Sequence, residues 1–124
     1  MDLNGNISGA YSTAEDAAKL LNYAIKKQPE VFESTTKSAY EAVSLSNIKH
    51  LTINTNEIVG QIPGLIGSKT GYTDLAGGNL VVAFDIDLNH PIIVSVLGSS
   101  REGRFSDVLK LVKATQKYFD SNQK

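Results

Sequence analysis

The sequence has 124 residues, enough for one domain of ordinary size. Twelve Lys and Arg against thirteen Asp and Glu leave a formal net charge of -1, so no strong field draws the chain to nucleic acid or anionic lipid. There is no cysteine, which excludes disulfides and thiolate metal sites, and no apolar run is long enough to span a bilayer.

The opening "MDLNGNISGA" lacks the apolar core of a signal peptide, so any export signal of the parent protein is expected outside this chain. "YSTAEDAAKLLNYAIKKQP" then predicts a helix. Ser12 and Glu15 have capping-box spacing, Ala14, Ala17, Ala18, Leu21, Ala24 and Ile25 share a face, and Pro29 ends the run. "PEVFESTTKSAYEA" reads as a short helix and then a loop, and "KHLTINTNEIVGQI" as a loose hairpin or extended arm.

Three β-rich runs follow, "GLIGSKTGY", "NLVVAFDI" and "PIIVSVLG". Their short links, "TDLAGG" and "DLNH", favour antiparallel neighbours and predict a three-stranded meander. The last two runs are almost wholly apolar, which predicts burial on both faces. "GRFSDVLKLVKATQKYF" places Phe105, Val108, Leu109, Val112 and Phe119 on one stripe of a closing helix packed on the sheet. The predicted fold class is α+β, an antiparallel sheet with flanking helices in a single domain.

Two motifs imitate ligand sites. "GLIGSKTG" resembles a phosphate loop, but Ser68 stands between the glycine and Lys69, and a strand follows where a helix is required. "DIDLNH" spaces Asp85, Asp87 and Asn89 as a calcium loop does, yet His90 replaces the required glycine and Val96 the bidentate glutamate. His50 and His90 lack ligand spacing, so neither a metal nor another cofactor is expected.

The lysine stretch has a coherent chemistry of its own. On a strand bordering a cleft, Lys69 supplies an ammonium and Thr70 a hydroxyl for a carboxylate. Gly71 lets a ligand backbone come close, and the Tyr72 N–H is placed to donate to an oxyanion. An edge strand also offers free backbone groups to an extended peptide. The alternative is a solvated lysine beside a glycine in a bulge, and these residues alone leave both open.

The longer stretch "GLIGSKTGYTDLAGGNLVVAF" resembles the third active-site motif of the D-alanyl-D-alanine carboxypeptidases. These are low-molecular-mass penicillin-binding proteins, serine peptidases that trim peptidoglycan stem peptides and are related to class A β-lactamases. "GAYSTAEDAAKLL" and "VSVLGSSREGRFSDVLKLV" resemble the same family, so the likeness covers most of the chain. It implies a partial penicillin-binding/β-lactamase-like transpeptidase fold. It implies that Lys69 assists proton transfer, that Thr70 binds the carboxylate of the terminal D-alanine or of a β-lactam, and that the Tyr72 N–H forms half of the oxyanion hole. Arg104, with Arg101 close by, falls where the family has an arginine that helps hold that carboxylate.

The family's nucleophile is a serine in an S-x-x-K motif, supported by S-x-N, and both precede the "YSTAEDA" helix. Here Ser34-Thr35-Thr36-Lys37 has the first spacing but follows that helix, in a polar stretch, and no serine begins S-x-N. The resemblance therefore implies the C-terminal half of a catalytic domain, inactive alone and completed by a missing N-terminal half. It implies an exported parent associated with the cell envelope. A peptidoglycan-peptide or partner-binding module without catalysis is the alternative. An apolar sheet edge at "PIIVSVLG" is expected to favour homo-oligomers.

Overall fold

The computed structural model describes Ile7 and residues 9–123. Helix α1 spans Ala14–Lys27. Its N-cap is Thr13, whose hydroxyl accepts from the Asp16 N–H at 3.0 Å. The Ser12–Glu15 box does not form. Thr13 is the residue with extended backbone at the helix start, the Ser12 hydroxyl turns to the Thr13 carbonyl, and Glu15 pairs with Lys19 at 2.7 Å. The helix ends at Lys27, and Pro29 opens the short helix α2, Pro29–Glu33, at a position that needs no N–H.

A 3₁₀ turn, Ser34–Thr36, leads into strand β1, Ala39–Val43, which pairs antiparallel with β2, Lys49–Ile53. The hairpin or arm expected within residues 49–62 is not what forms: those residues supply only the second strand of the ribbon, and its first strand comes from the segment read as loop. Serine 44 closes the turn, its hydroxyl accepting from the Ile48 N–H at 3.1 Å, while Asn47 takes positive φ. This ribbon forms a sheet of its own and leaves Val43, Leu51 and Ile53 exposed.

The main sheet is the predicted meander, ordered β3 (Leu65–Thr73), β4 (Gly77–Asp85), β5 (Pro91–Ser99). Helix α3, Gly103–Asn122, covers one face. There Leu80, Val82 and Phe84 meet Val94, Phe105, Val108 and Val112, with Ile58 and Ile62 from the segment after the ribbon. Phe119 of the predicted stripe lies at the rim, with its ring edge-on to His90. Helix α1 covers the other face, where Leu21 is buried. Burial on both faces holds for β4 but not for β5, of which only Val94 is buried, because β5 is an edge strand.

Gly78 in β4 is where the chain that leaves β5 passes closest, since a Cβ there would collide with the Ser100 carbonyl. That close approach lets α3 begin directly beside the β3–β4 end of the sheet.

Candidate active site

Strand β3 is the free edge opposite β5. From Gly67 to Thr73 its register with β4 is unbroken, and a bulge lies just before, between Leu65 and Gly67. The Ser68 N–H points away from β4 and donates to the Thr35 hydroxyl at 3.0 Å. Strand alternation then turns the N–H and C=O of Thr70 and Tyr72 to the same open side. The Tyr72 N–H, expected from the sequence to donate to an oxyanion, is thus turned to the open side of the strand.

The same alternation separates the side chains. Ser68 and Thr70 lie opposite Val82 and Leu80, on the α3 face, while Lys69 lies opposite Val81, on the α1 face. Lys69 stands at the mouth of an apolar groove of about 480 Å³ lined by Ala17, Leu20, Leu21, Ala24, Phe32 and Val81. Its ammonium curls round the edge to donate to the Thr70 carbonyl. The cation and the hydroxyl therefore flank the edge from opposite faces. Between Thr70 and Tyr72, a Cβ added at Gly71 would meet nothing within 4 Å, so this glycine leaves space beside the edge rather than relieving an internal clash.

Arg104, in the first turn of α3, is 8% exposed, and its Nη1 donates to the Gly71 carbonyl at 2.9 Å. Its guanidinium also lies 4.6 Å from the Phe105 ring centroid. Arg104, which the resemblance sets beside the ligand carboxylate, thus meets the lysine–threonine–glycine strand by backbone contact and stacks on Phe105. Its Nε is buried with no hydrogen-bond partner among the described residues. Arg101 is exposed and stands over the Tyr72 ring at 5.4 Å.

Sequence reasoning missed the segment Asn54-Thr55-Asn56, which leaves β2 and meets the Ser68 and Thr70 side chains of β3. The Thr55 hydroxyl lies 2.8 Å from that of Thr70. Asn54 holds the 3₁₀ turn, its Nδ2 donating to the Thr35 and Lys37 carbonyls at 2.9 Å each, and its Oδ1 accepts from the Asn56 N–H. Asn56, 1% exposed, donates to the Ser68 hydroxyl at 3.1 Å. The only signal was two asparagines flanking a threonine just past a strand.

The Ser34–Lys37 motif lies in this support. Its Thr35 receives the β3 edge, the Ser34 hydroxyl is turned back to the Val31 carbonyl at 3.5 Å, and Lys37 faces Glu33 at 3.7 Å. The same spacing recurs at Ser46–Lys49, at the ribbon turn, and at Ser121–Lys124, so it marks nothing by itself. Among the described residues no group of three or more His, Asp or Glu is placed to hold a metal ion.

An antiparallel sheet with helices on both faces and a lysine–threonine–glycine edge defines the penicillin-binding/β-lactamase-like transpeptidase fold. Penicillin-binding protein D2 from Listeria monocytogenes shares it, in its ampicillin-bound form at TM-score 0.74 and 33% identity, with 91% of this chain and 44% of that one covered. Its cefotaxime-bound form superposes at TM-score 0.70 with the same identity, covering 91% and 43%. A Streptomyces DD-transpeptidase matches at TM-score 0.63 and 28% identity, over 87% of this chain and 44% of that one.

The D-alanyl-D-alanine carboxypeptidase family model matches residues 2–101, and the chain belongs to that family. The D-alanyl-D-alanine carboxypeptidase DacB2 of Mycobacterium tuberculosis is 30% identical over 101 residues, which are 82% of this chain and 34% of that protein. The chain thus spans about a third of this curated relative and under half of the matched structures.

Proposed function

We propose that the β3 edge is one wall of a cleft that recognises the D-alanyl-D-alanine end of a peptidoglycan stem peptide, or a β-lactam, for a serine-type carboxypeptidase. The observation that carries this reading is the outward turn of the Thr70 and Tyr72 backbone beside an unobstructed Gly71. An extended peptide lies along such an edge by backbone hydrogen bonds. The Thr70 hydroxyl then binds the terminal carboxylate, and the buried Arg104 charge behind Gly71 favours it. The Tyr72 N–H donates to the penultimate carbonyl oxygen as negative charge develops there.

In the reaction a serine oxygen bonds to that carbonyl carbon, the peptide C–N bond breaks, and the free D-alanine takes up a proton. Water then cleaves the ester. Lys69, once its ammonium leaves the Thr70 carbonyl to a ligand N–H, helps move the proton near the serine. The serine belongs to a polypeptide segment outside this sequence, so this chain alone binds ligand weakly and turns nothing over. The parent acts outside the cytoplasm, at the cell envelope, and among the described residues no helix is long and apolar enough to cross a membrane.

Titration of the labelled chain with N-acetyl-D-alanyl-D-alanine tests this reading. The largest amide shifts are expected at Thr70, Gly71 and Tyr72. Saturable shifts confined to another surface, or none at millimolar ligand, overturn it.

A further inference from the structure

The proposed carboxylate subsite contains a second hydroxyl. Thr55 and Thr70 lie 2.8 Å apart through their Oγ1 atoms, and their side chains come from segments with no sequence proximity. A lone threonine hydroxyl rotates freely and spreads its single proton over several directions. Engaged with a fixed partner, it has one direction left for that proton.

The support beneath Thr55 is what makes it such a partner. Asn54 is tied to two carbonyls of the 3₁₀ turn, and Asn56 is buried with its amide on the Ser68 hydroxyl. The Asn56 Oδ1 also accepts from the Ile58 N–H at 3.3 Å, next to the core. Residues on both sides of Thr55 are thus anchored, and Ser68 and Thr70 of the strand are each met by one residue of the same tripeptide.

We propose that Thr55 is a positioning residue of the carboxylate subsite. It donates its proton to the Thr70 oxygen, so that the Thr70 proton is directed to the open edge and to a ligand carboxylate. This rests on the reading of Thr70 given above. The pair presents one polarised donor, which selects an anionic acceptor over a neutral amide.

The test compares N-acetyl-D-alanyl-D-alanine with its C-terminal carboxamide, followed by amide shifts of Thr70 and Tyr72 in the whole chain and in Thr55→Val and Thr55→Ser. Wild type and Thr55→Ser are expected to prefer the acid. Thr55→Val, which keeps the shape but not the hydroxyl, is expected to bind the acid about tenfold more weakly. It should bind the carboxamide nearly as wild type does, which a merely structural loss would not spare. Wild-type preference for the acid retained in Thr55→Val overturns the role of Thr55 and leaves that of Thr70 standing. Loss of the preference in Thr55→Ser as well as in Thr55→Val also overturns it. No preference in wild type overturns both. Should Thr55→Val fail to fold, the hydroxyl-proton exchange of Thr55 in wild type decides: rapid exchange with water, showing no fixed bond to Thr70, overturns the proposal, and slow exchange supports it.

Discussion

The Arg104 guanidinium holds the Gly71 carbonyl at 2.9 Å, joining the first turn of α3 to the middle of the candidate ligand strand. The contact is charge-assisted and mostly shielded from water, since Arg104 is 8% exposed. Arg104→Ala is expected to destabilise the fold by about 2 kcal/mol, through the lost bond and the lost packing on Phe105. Arg104→Lys should recover little of this, because an ammonium does not stack and donate in the same plane. Urea unfolding of the two variants checks it; a lysine variant as stable as wild type would count against the contact.

Two glycines of the sheet are expected to respond in opposite ways. Gly78→Ala forces a Cβ into the Ser100 carbonyl and should cost several kcal/mol, or about 3 in a fold that adjusts. Gly71→Ala meets no protein atom within 4 Å and should leave thermal stability unchanged or raise it by about 0.5 kcal/mol. Ligand shifts at Tyr72 should nevertheless shrink in Gly71→Ala, because the methyl occupies the space beside the edge. Equal melting temperatures for the two variants would contradict this account.

Asn56→Ala removes an amide that is 1% exposed and leaves the Ser68 hydroxyl and the Ile58 N–H without their partner. Buried groups orphaned in this way cost about 1–3 kcal/mol each. A thermal shift smaller than that of a surface substitution such as Lys113→Ala would show that the tripeptide is not anchored.

The chain alone is expected to form no covalent adduct with a fluorescent penicillin. Ser34 lies in a 3₁₀ turn with its hydroxyl directed at the Val31 carbonyl, and Lys37 faces Glu33. A labelled band that disappears in Ser34→Ala would restore that serine as a nucleophile.

Much of the fold was legible because its signals are local. The α1 and α3 stripes and the three β-rich runs read directly as elements, and short links fixed the meander. The capping residue was misplaced by one position, since Ser12 and Thr13 are equally competent hydroxyls and only backbone geometry chooses. Strand β1 was read as loop because Ala39, Glu41 and Ala42 carry no β-branched pattern; pairing with β2 makes it a strand. For the candidate site, the run from Lys69 to Tyr72 was proposed from chemistry and resemblance. Thr55 was not, because its significance arises from a contact fifteen residues along the chain. That Arg104 reaches the strand through Gly71 is likewise a fact of packing, invisible in the spacing of charges.

The bond from the Ser68 N–H to Thr35 does more than fix a direction. It closes the near end of the β3 edge, while the turn after Thr73 closes the far end. What remains is a ledge two outward residues long. A strand from another molecule has only this ledge to pair with, so a short guest is expected to suit the edge better than a long one. Self-association by strand pairing is expected instead at β5, the other edge of the sheet: light scattering should show dimers, and a monomer at micromolar concentration would deny them.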